Sequence, residues 1–169
     1  MASLFTFAKN QKNLTACIGE TMKPFSFLTP KLPVDTQQIE QAISHLEQQT
    51  SAELRVVVER KAKKPDAIGR AEQLFAELKM AETAQRNGVL LYLSFKPQLI
   101  AVVGDEGIHQ KVGDEFWQSV YAAMKNRCQQ GEFTLAICEG IAQVEQQLAR
   151  YFPLQSNDEN ELDNKVVIK

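Results

Sequence analysis

Apolar positions along the middle of the chain recur with two different periods, and the switches between them mark its elements. Ile39, Ala42, Ile43 and Leu46 fall at i, i+3, i+4 and i+7, one stripe of a helix, with Asp35 as its N-cap and Gln38 placed to reach back. The pattern fades between Gln48 and Thr50, and residues 52–60 (AELRVVVER) alternate instead, as a strand does. Lys61 to Lys64 end that strand. Pro65-Asp66 then opens a second helix, striped by Ala67, Ile68, Ala71, Leu74, Phe75 and Leu78. Residues 89–95 are apolar almost throughout, which predicts a strand covered on both faces. Lys96-Pro97-Gln98 connects it to residues 99–103 as an antiparallel hairpin. Val112, Phe116, Val120 and Met124 mark a third helix; Ile137, Ile141, Val144 and Leu148 mark a fourth, beyond Gly131.

The order is therefore α-β-α-β-β-α-α, and a small mixed sheet sandwiched by helices accommodates it best, an α/β fold. Residues 1–33 show no sustained period and carry Pro24, Pro30 and Pro33. They read as a weakly ordered extension with one short packing cluster, Phe25 to Leu28, and Met22 as an alternative start. Residues 34–153 form the domain. Pro153 ends the last helix, and residues 154–169 read as an acidic tail with Asp158, Glu159, Glu161 and Asp163 in solvent.

Charge narrows the partners. A formal net charge of −2 leaves no basic face, so nucleic acid is not an expected ligand. The three cysteines, Cys17, Cys128 and Cys138, form no C-x-x-C unit and read as inert thiols in a reducing compartment. No apolar run is long enough to cross a bilayer and the first twenty residues lack a continuous apolar stretch, so the expected location is cytoplasmic.

Topology then brings chemistry together. A βαβ crossover places its strands parallel and the third strand returns antiparallel. The starts of strands 52–60 and 89–95 and the end of strand 99–103 thus share one end of the sheet. That end carries Thr50 and Glu53, then Thr83, Arg86 and Asn87, then Asp105 and Glu106. Carboxylates, an amide and hydroxyls are hard oxygen donors, suited to Ca²⁺ or Mg²⁺. The helix after Gly107 brings N–H groups suited to an anion, as does the planar fork of Arg86. Plainer readings stand beside these. Asp105-Glu106 also suits a turn that caps the next helix, Asn87-Gly88 a tight turn, and Glu53 with Arg55 an ordinary ion pair. His109 reads as an exposed loop residue, Trp117 as core, and no elbow motif supports a Ser-His-Asp triad.

Four blocks of the sequence carry a family likeness. IEQAISHLEQQTSAELRVVV (39–58) has a helix followed by T-S-x-E-L and a strand; RNGVLLYLSF (86–95) forms a second block and AVVGDEGIHQKV, followed by Phe116-Trp117, a third. GIAQVEQQLARYFP and then NELDN close the series. In this order and over about residues 35–165 the chain resembles the TPM domain family. The resemblance implies an α/β sandwich, and divalent-cation binding with ligands at Glu53, Asn87 and Asp105. Thr50, Thr83, Arg86, Glu106 and Gly107 stand around them as supporting or anion-binding groups. It also implies an accessory or interaction module assisting a membrane-associated protein complex. Metal-assisted acid phosphatase activity, proposed for thylakoid-lumen members, is the alternative. Many members add a signal peptide and a membrane helix; this chain reads as the stand-alone form.

Overall fold

The computed structural model describes residues 5–7, 32–63, 65–154 and 163–169. The cluster Phe25 to Leu28, Met22, Cys17 and the acidic positions 158, 159 and 161 lie outside them. In chain order the elements are β1 (Phe5–Phe7), α1 (Thr36–Glu47), β2 (Leu54–Glu59), α2 (Ala67–Glu77), β3 (Val89–Phe95), β4 (Gln98–Gly104), α3 (Glu106–Gln129), α4 (Phe133–Tyr151) and β5 (Val167–Ile168), with a 3₁₀ turn at Met80–Glu82. The expected α-β-α-β-β-α-α series runs through this list. Two short strands flank it: one falls inside the segment read as a weakly ordered extension, the other inside the segment read as an acidic tail.

All five strands join one sheet in the order β1-β4-β3-β2-β5. β2 and β3 are parallel, β3 and β4 antiparallel, and the flanking strands pair β1 antiparallel to β4 and β5 parallel to β2. The inner strands are covered on both faces, which is why residues 89–95 could be apolar nearly throughout. Leu54, Val56, Val58, Val89, Leu91 and Leu93 turn toward α1, α3 and α4, in the larger core. Val57, Leu90, Tyr92, Ala101 and Val103 turn toward α2 and its Ala71, Leu74 and Phe75. Val56 and Phe75 are both buried, as the periodicity requires, but on opposite faces of the sheet.

Capping follows the sequence with one exchange. Asp35 accepts from the Gln38 N–H at 3.2 Å, yet its own N–H goes to the Thr134 hydroxyl of α4 at 2.9 Å rather than back to the Gln38 side chain. That contact fixes α1 against α4. Asp66 caps α2 in the same manner through the Gly69 N–H at 3.0 Å. α3 bends at Gly113, whose φ of 71° and ψ of 179° interrupt the helical backbone. Glycine visits that region at little cost. The four-residue spacing from Val112 to Met124 reads straight through the bend, and the piece before it, with buried Ile108, is set by the cap at Asp105.

Candidate functional site

The three segments that topology assigns to one sheet end do meet there. Leu54 pairs with Val89 and Val89 with Gly104, so Glu53, Gly88 and Asp105 stand just beyond the ends of their strands. Backbone bonds stitch them together. The Val89 N–H donates to the Glu53 carbonyl at 2.8 Å, Asp105 to Gly88 at 2.9 Å, and Gly107 to Arg86 at 3.0 Å. Asn87 adds its side-chain amide, donating to the Ser51 carbonyl at 3.0 Å, and Gln85 donates to the Ser51 hydroxyl at 3.2 Å. Gly107 must be glycine for this closure, since a Cβ there would collide with the carbonyls of Gln85 and Arg86.

Glu53, Asn87 and Asp105 are all buried, Asp105 completely. A buried carboxylate needs a counter-charge or donors, and Asp105 has both. Arg86 meets it as a bidentate fork, Nε to Oδ2 and Nη2 to Oδ1, each at 2.7 Å, and the Glu106 N–H donates to Oδ1 at 2.8 Å. The hydrogen bond to Asp105 holds the Arg86 guanidinium even more firmly protonated than usual, against the opposing effect of burial. Arg86 reaches this position from a corner with φ of 52°, stabilised by the Arg86 N–H to the Thr83 carbonyl and the Asn87 N–H to the Thr83 hydroxyl, both at 3.1 Å.

Asp105 is thus the helix cap that its spacing suggests and an ion-pair partner as well. The fork of Arg86 and the Glu106 and Gly107 N–H groups, considered for an anion, all make intramolecular bonds here. Thr50 turns the other way: its hydroxyl donates to the Phe152 carbonyl at 2.6 Å and accepts from Ala52 N–H at 3.1 Å. Arg55 donates to the Asp163 carbonyl from the last described segment. His109 is not an exposed loop residue. It lies in α3, its ring only 15% exposed, with Nε2 3.7 Å from Asp114. Trp117 is core, packed against Gly104. Cys128 is buried and its thiol is pushed up to about 12 by that burial, as an inert thiol should be.

Residues suited to a divalent cation gather at this end as two buried carboxylates and an amide. Among the described residues, no group of three or more His, Cys, Asp or Glu side chains is arranged to hold a metal ion. The oxygen donors fit a hard cation in kind, and Arg86 now occupies the position such a charge would take beside Asp105.

A second charged centre was not singled out from the sequence. Glu59, at the far end of β2, is buried and accepts from Arg70 Nε at 3.0 Å, from Arg70 Nη2 at 2.5 Å and from the Tyr92 hydroxyl at 2.8 Å. Its signal was its parity: with Val57 it falls on the face that α2 covers, where a carboxylate must find a partner. Burial pushes the Glu59 carboxyl up, but the bonds from Arg70 and Tyr92 and the charges of Arg70 and Lys169 outweigh it, leaving it below the ordinary 4.5. A depressed carboxyl contributes stability that is present above its unfolded value and is lost as pH falls through its folded one. The urea midpoint of the parent should therefore drop below about pH 4.5 more steeply than that of Glu59→Gln. Parallel pH profiles for the two proteins would show that the pairing is not what depresses it.

A mixed sheet between helices, with a polar, partly buried cluster at the mouth of its strands, defines an α/β sandwich with one candidate site. The chain belongs to the TPM domain family, whose domain it matches over residues 26–147. Among solved structures it is similar to the BA42 protein of the psychrophilic bacterium Bizionia argentinensis, determined by NMR. The two share 32% identity with a TM-score of 0.75, over 83% of this chain and 97% of that one. No curated protein matches the chain. Among the described residues no helix is long and apolar enough to cross a membrane.

Proposed function

We propose that this TPM domain is a divalent-cation-binding accessory module for a membrane-associated protein, with Ca²⁺ or Mg²⁺ held by Glu53, Asn87 and Asp105. The observation that supports it is the convergence of two buried carboxylates and a buried amide on one sheet end from three chain segments. Oxygen donors of this kind select hard cations over softer ones. A bound cation would supply positive charge at that end; Asn87 would orient its carbonyl through the Ser51 bond, and Arg86 would have to yield Asp105. The membrane-associated partner is an inference from family membership.

Metal-assisted hydrolysis of phosphate esters is the competing reading. Like cation binding it needs the Arg86–Asp105 pair, joined by two hydrogen bonds, to open, and it asks in addition that Arg86 clamp phosphate and that a nucleophile be placed beside it. Titration calorimetry with Ca²⁺ and with Mg²⁺, run beside an assay of p-nitrophenyl phosphate hydrolysis, separates the two. The expected result is saturable binding by the parent, loss of it in Asp105→Asn, and no hydrolysis above the blank. Metal-dependent hydrolysis that disappears in Asp105→Asn would reverse the preference.

A further inference from the structure

At the end of the sheet opposite the candidate cation site, β2 finishes at Glu59 and the chain turns into α2 at Ala67. The carboxyl ends of parallel strands are where open α/β sheets most often receive small ligands. A cavity of about 240 Å³ opens there, lined among the described residues by Lys63, Asp66, Gly69, Arg70 and Gln73. That is below the roughly 300 Å³ at which pockets for drug-sized ligands begin, so its occupant is small. None of these side chains belongs to the cation site.

The lining combines donors and acceptors that the fold leaves over. Arg70 Nε and Nη2 both donate to buried Glu59, whose other oxygen accepts from the Tyr92 hydroxyl, so the guanidinium is held in one orientation. Arg70 Nη1 stands 3.6 Å from Glu77, beyond hydrogen-bond reach, and remains a donor among the described residues. Lys63 adds an exposed ammonium. Asp66 Oδ1 accepts from the Gly69 N–H as the cap of α2, so the helix end is already satisfied. Its Oδ2 lies over the first turn because residue 69 has no side chain; a Cβ there would collide with it. Gln73 donates its amide nitrogen to Glu77 Oε1 at 2.8 Å, which leaves its carbonyl oxygen as an acceptor. Two cationic donors thus line the same small cavity as a carboxylate oxygen and an amide oxygen.

That set is mismatched to a single charge. A plain anion would meet the Asp66 carboxylate, and a plain amine would meet Lys63 and Arg70. We infer that the cavity binds a small zwitterion of the amino-acid class, its carboxylate taken by Arg70 Nη1 and Lys63 and its ammonium by Asp66 Oδ2 and the Gln73 carbonyl. The planar guanidinium suits a carboxylate, and its anchorage on Glu59 means that little ordering remains to be done on binding. The Glu59–Arg70–Tyr92 cluster then positions Arg70 for the cavity as well as joining α2 to the sheet.

Amide NMR spectra of the full chain, titrated with free glycine, β-alanine and γ-aminobutyrate, test this directly, with butyrate and butylamine as the matched single charges. At least one of the three amino acids should shift the Gly69 and Arg70 amides saturably, while the Asn87 and Asp105 amides at the other end of the sheet stay in place. Butyrate and butylamine should shift none of them. Asp66→Asn keeps a good cap and removes the charge. It should weaken the binding at least about tenfold, as should Lys63→Gln at its exposed position. No saturable shift with any of the three, an equal response to butyrate, or undiminished binding by either variant would overturn the inference. Shifts confined to Asn87 and Asp105 would do the same, since the ligand would then belong to the cation site.

Discussion

Replacing Phe75 by alanine should lower the stability by about 3–5 kcal/mol, the range for truncating a buried aromatic side chain. Phe75 is 1% exposed and sits in the cluster that α2 forms with Val57, Leu90, Tyr92, Ala101 and Val103. Met80 of the 3₁₀ turn completes that cluster, so the ring is enclosed by the sheet, its own helix and that turn. The loss reaches beyond the cavity. The Phe75 ring lies close to Gly88, whose carbonyl accepts from the Asp105 N–H, so the mutation also loosens one side of the candidate site. Urea denaturation should show a large fall in midpoint at nearly unchanged slope, whereas exposed Gln118→Ala should stay within about 0.5 kcal/mol of the parent. A near-parental midpoint for Phe75→Ala would contradict the packing described for α2.

Arg86→Ala should cost about 2–3 kcal/mol, because it strands a buried carboxylate rather than deleting a surface contact. Asp105 is fully buried and, among the described residues, keeps the Glu106 N–H as its remaining side-chain donor once the fork is gone. The Arg86 side chain is itself 36% exposed, which places the expectation below the upper end for breaking a wholly buried pair. Arg86→Lys should recover part of the loss, since an ammonium restores the charge but not the two parallel bonds. If both variants melt with the parent, the pair contributes nothing and Asp105 is satisfied in another way.

The elements that fill the core were legible because periodicity reports burial. Ile39, Ile43 and Leu46, or Ile137, Ile141, Val144 and Leu148, can lie on one helix face only if that face is covered, and all of them are buried. The meeting of Glu53, Asn87 and Asp105 at one sheet end was legible for a different reason, the handedness and direction of a βαβ unit followed by a hairpin. β1 and β5 were not. Strands of three and two residues are too short for alternation to show, and they are fixed by the edges they pair with rather than by a pattern of their own. The Arg86–Asp105 fork was missed as a pair because nothing in the sequence couples residues nineteen apart except the fold. It depends on a left-handed corner at Arg86, a position where glycine or asparagine is the common signal and arginine is not. The Glu59–Arg70–Tyr92 cluster was hidden likewise, since a strand carboxylate looks solvated until the helix that covers its face is known.

The central claim, that a divalent cation belongs at the Glu53–Asn87–Asp105 end of the sheet, is tested most directly by thermal melts titrated with Ca²⁺ and with Mg²⁺. A ligand that binds only the folded chain stabilises it by linkage, about 2.7 kcal/mol at a hundredfold excess over its dissociation constant. The parent should rise in melting temperature with at least one ion, and Asp105→Asn, which keeps the shape and removes the charge, should respond little or not at all. Arg86→Ala should respond more than the parent, because its competing cation is gone. A parent melt indifferent to both ions, or an equal response from Asp105→Asn, would contradict the claim and leave Arg86 as the lasting counter-charge of this site.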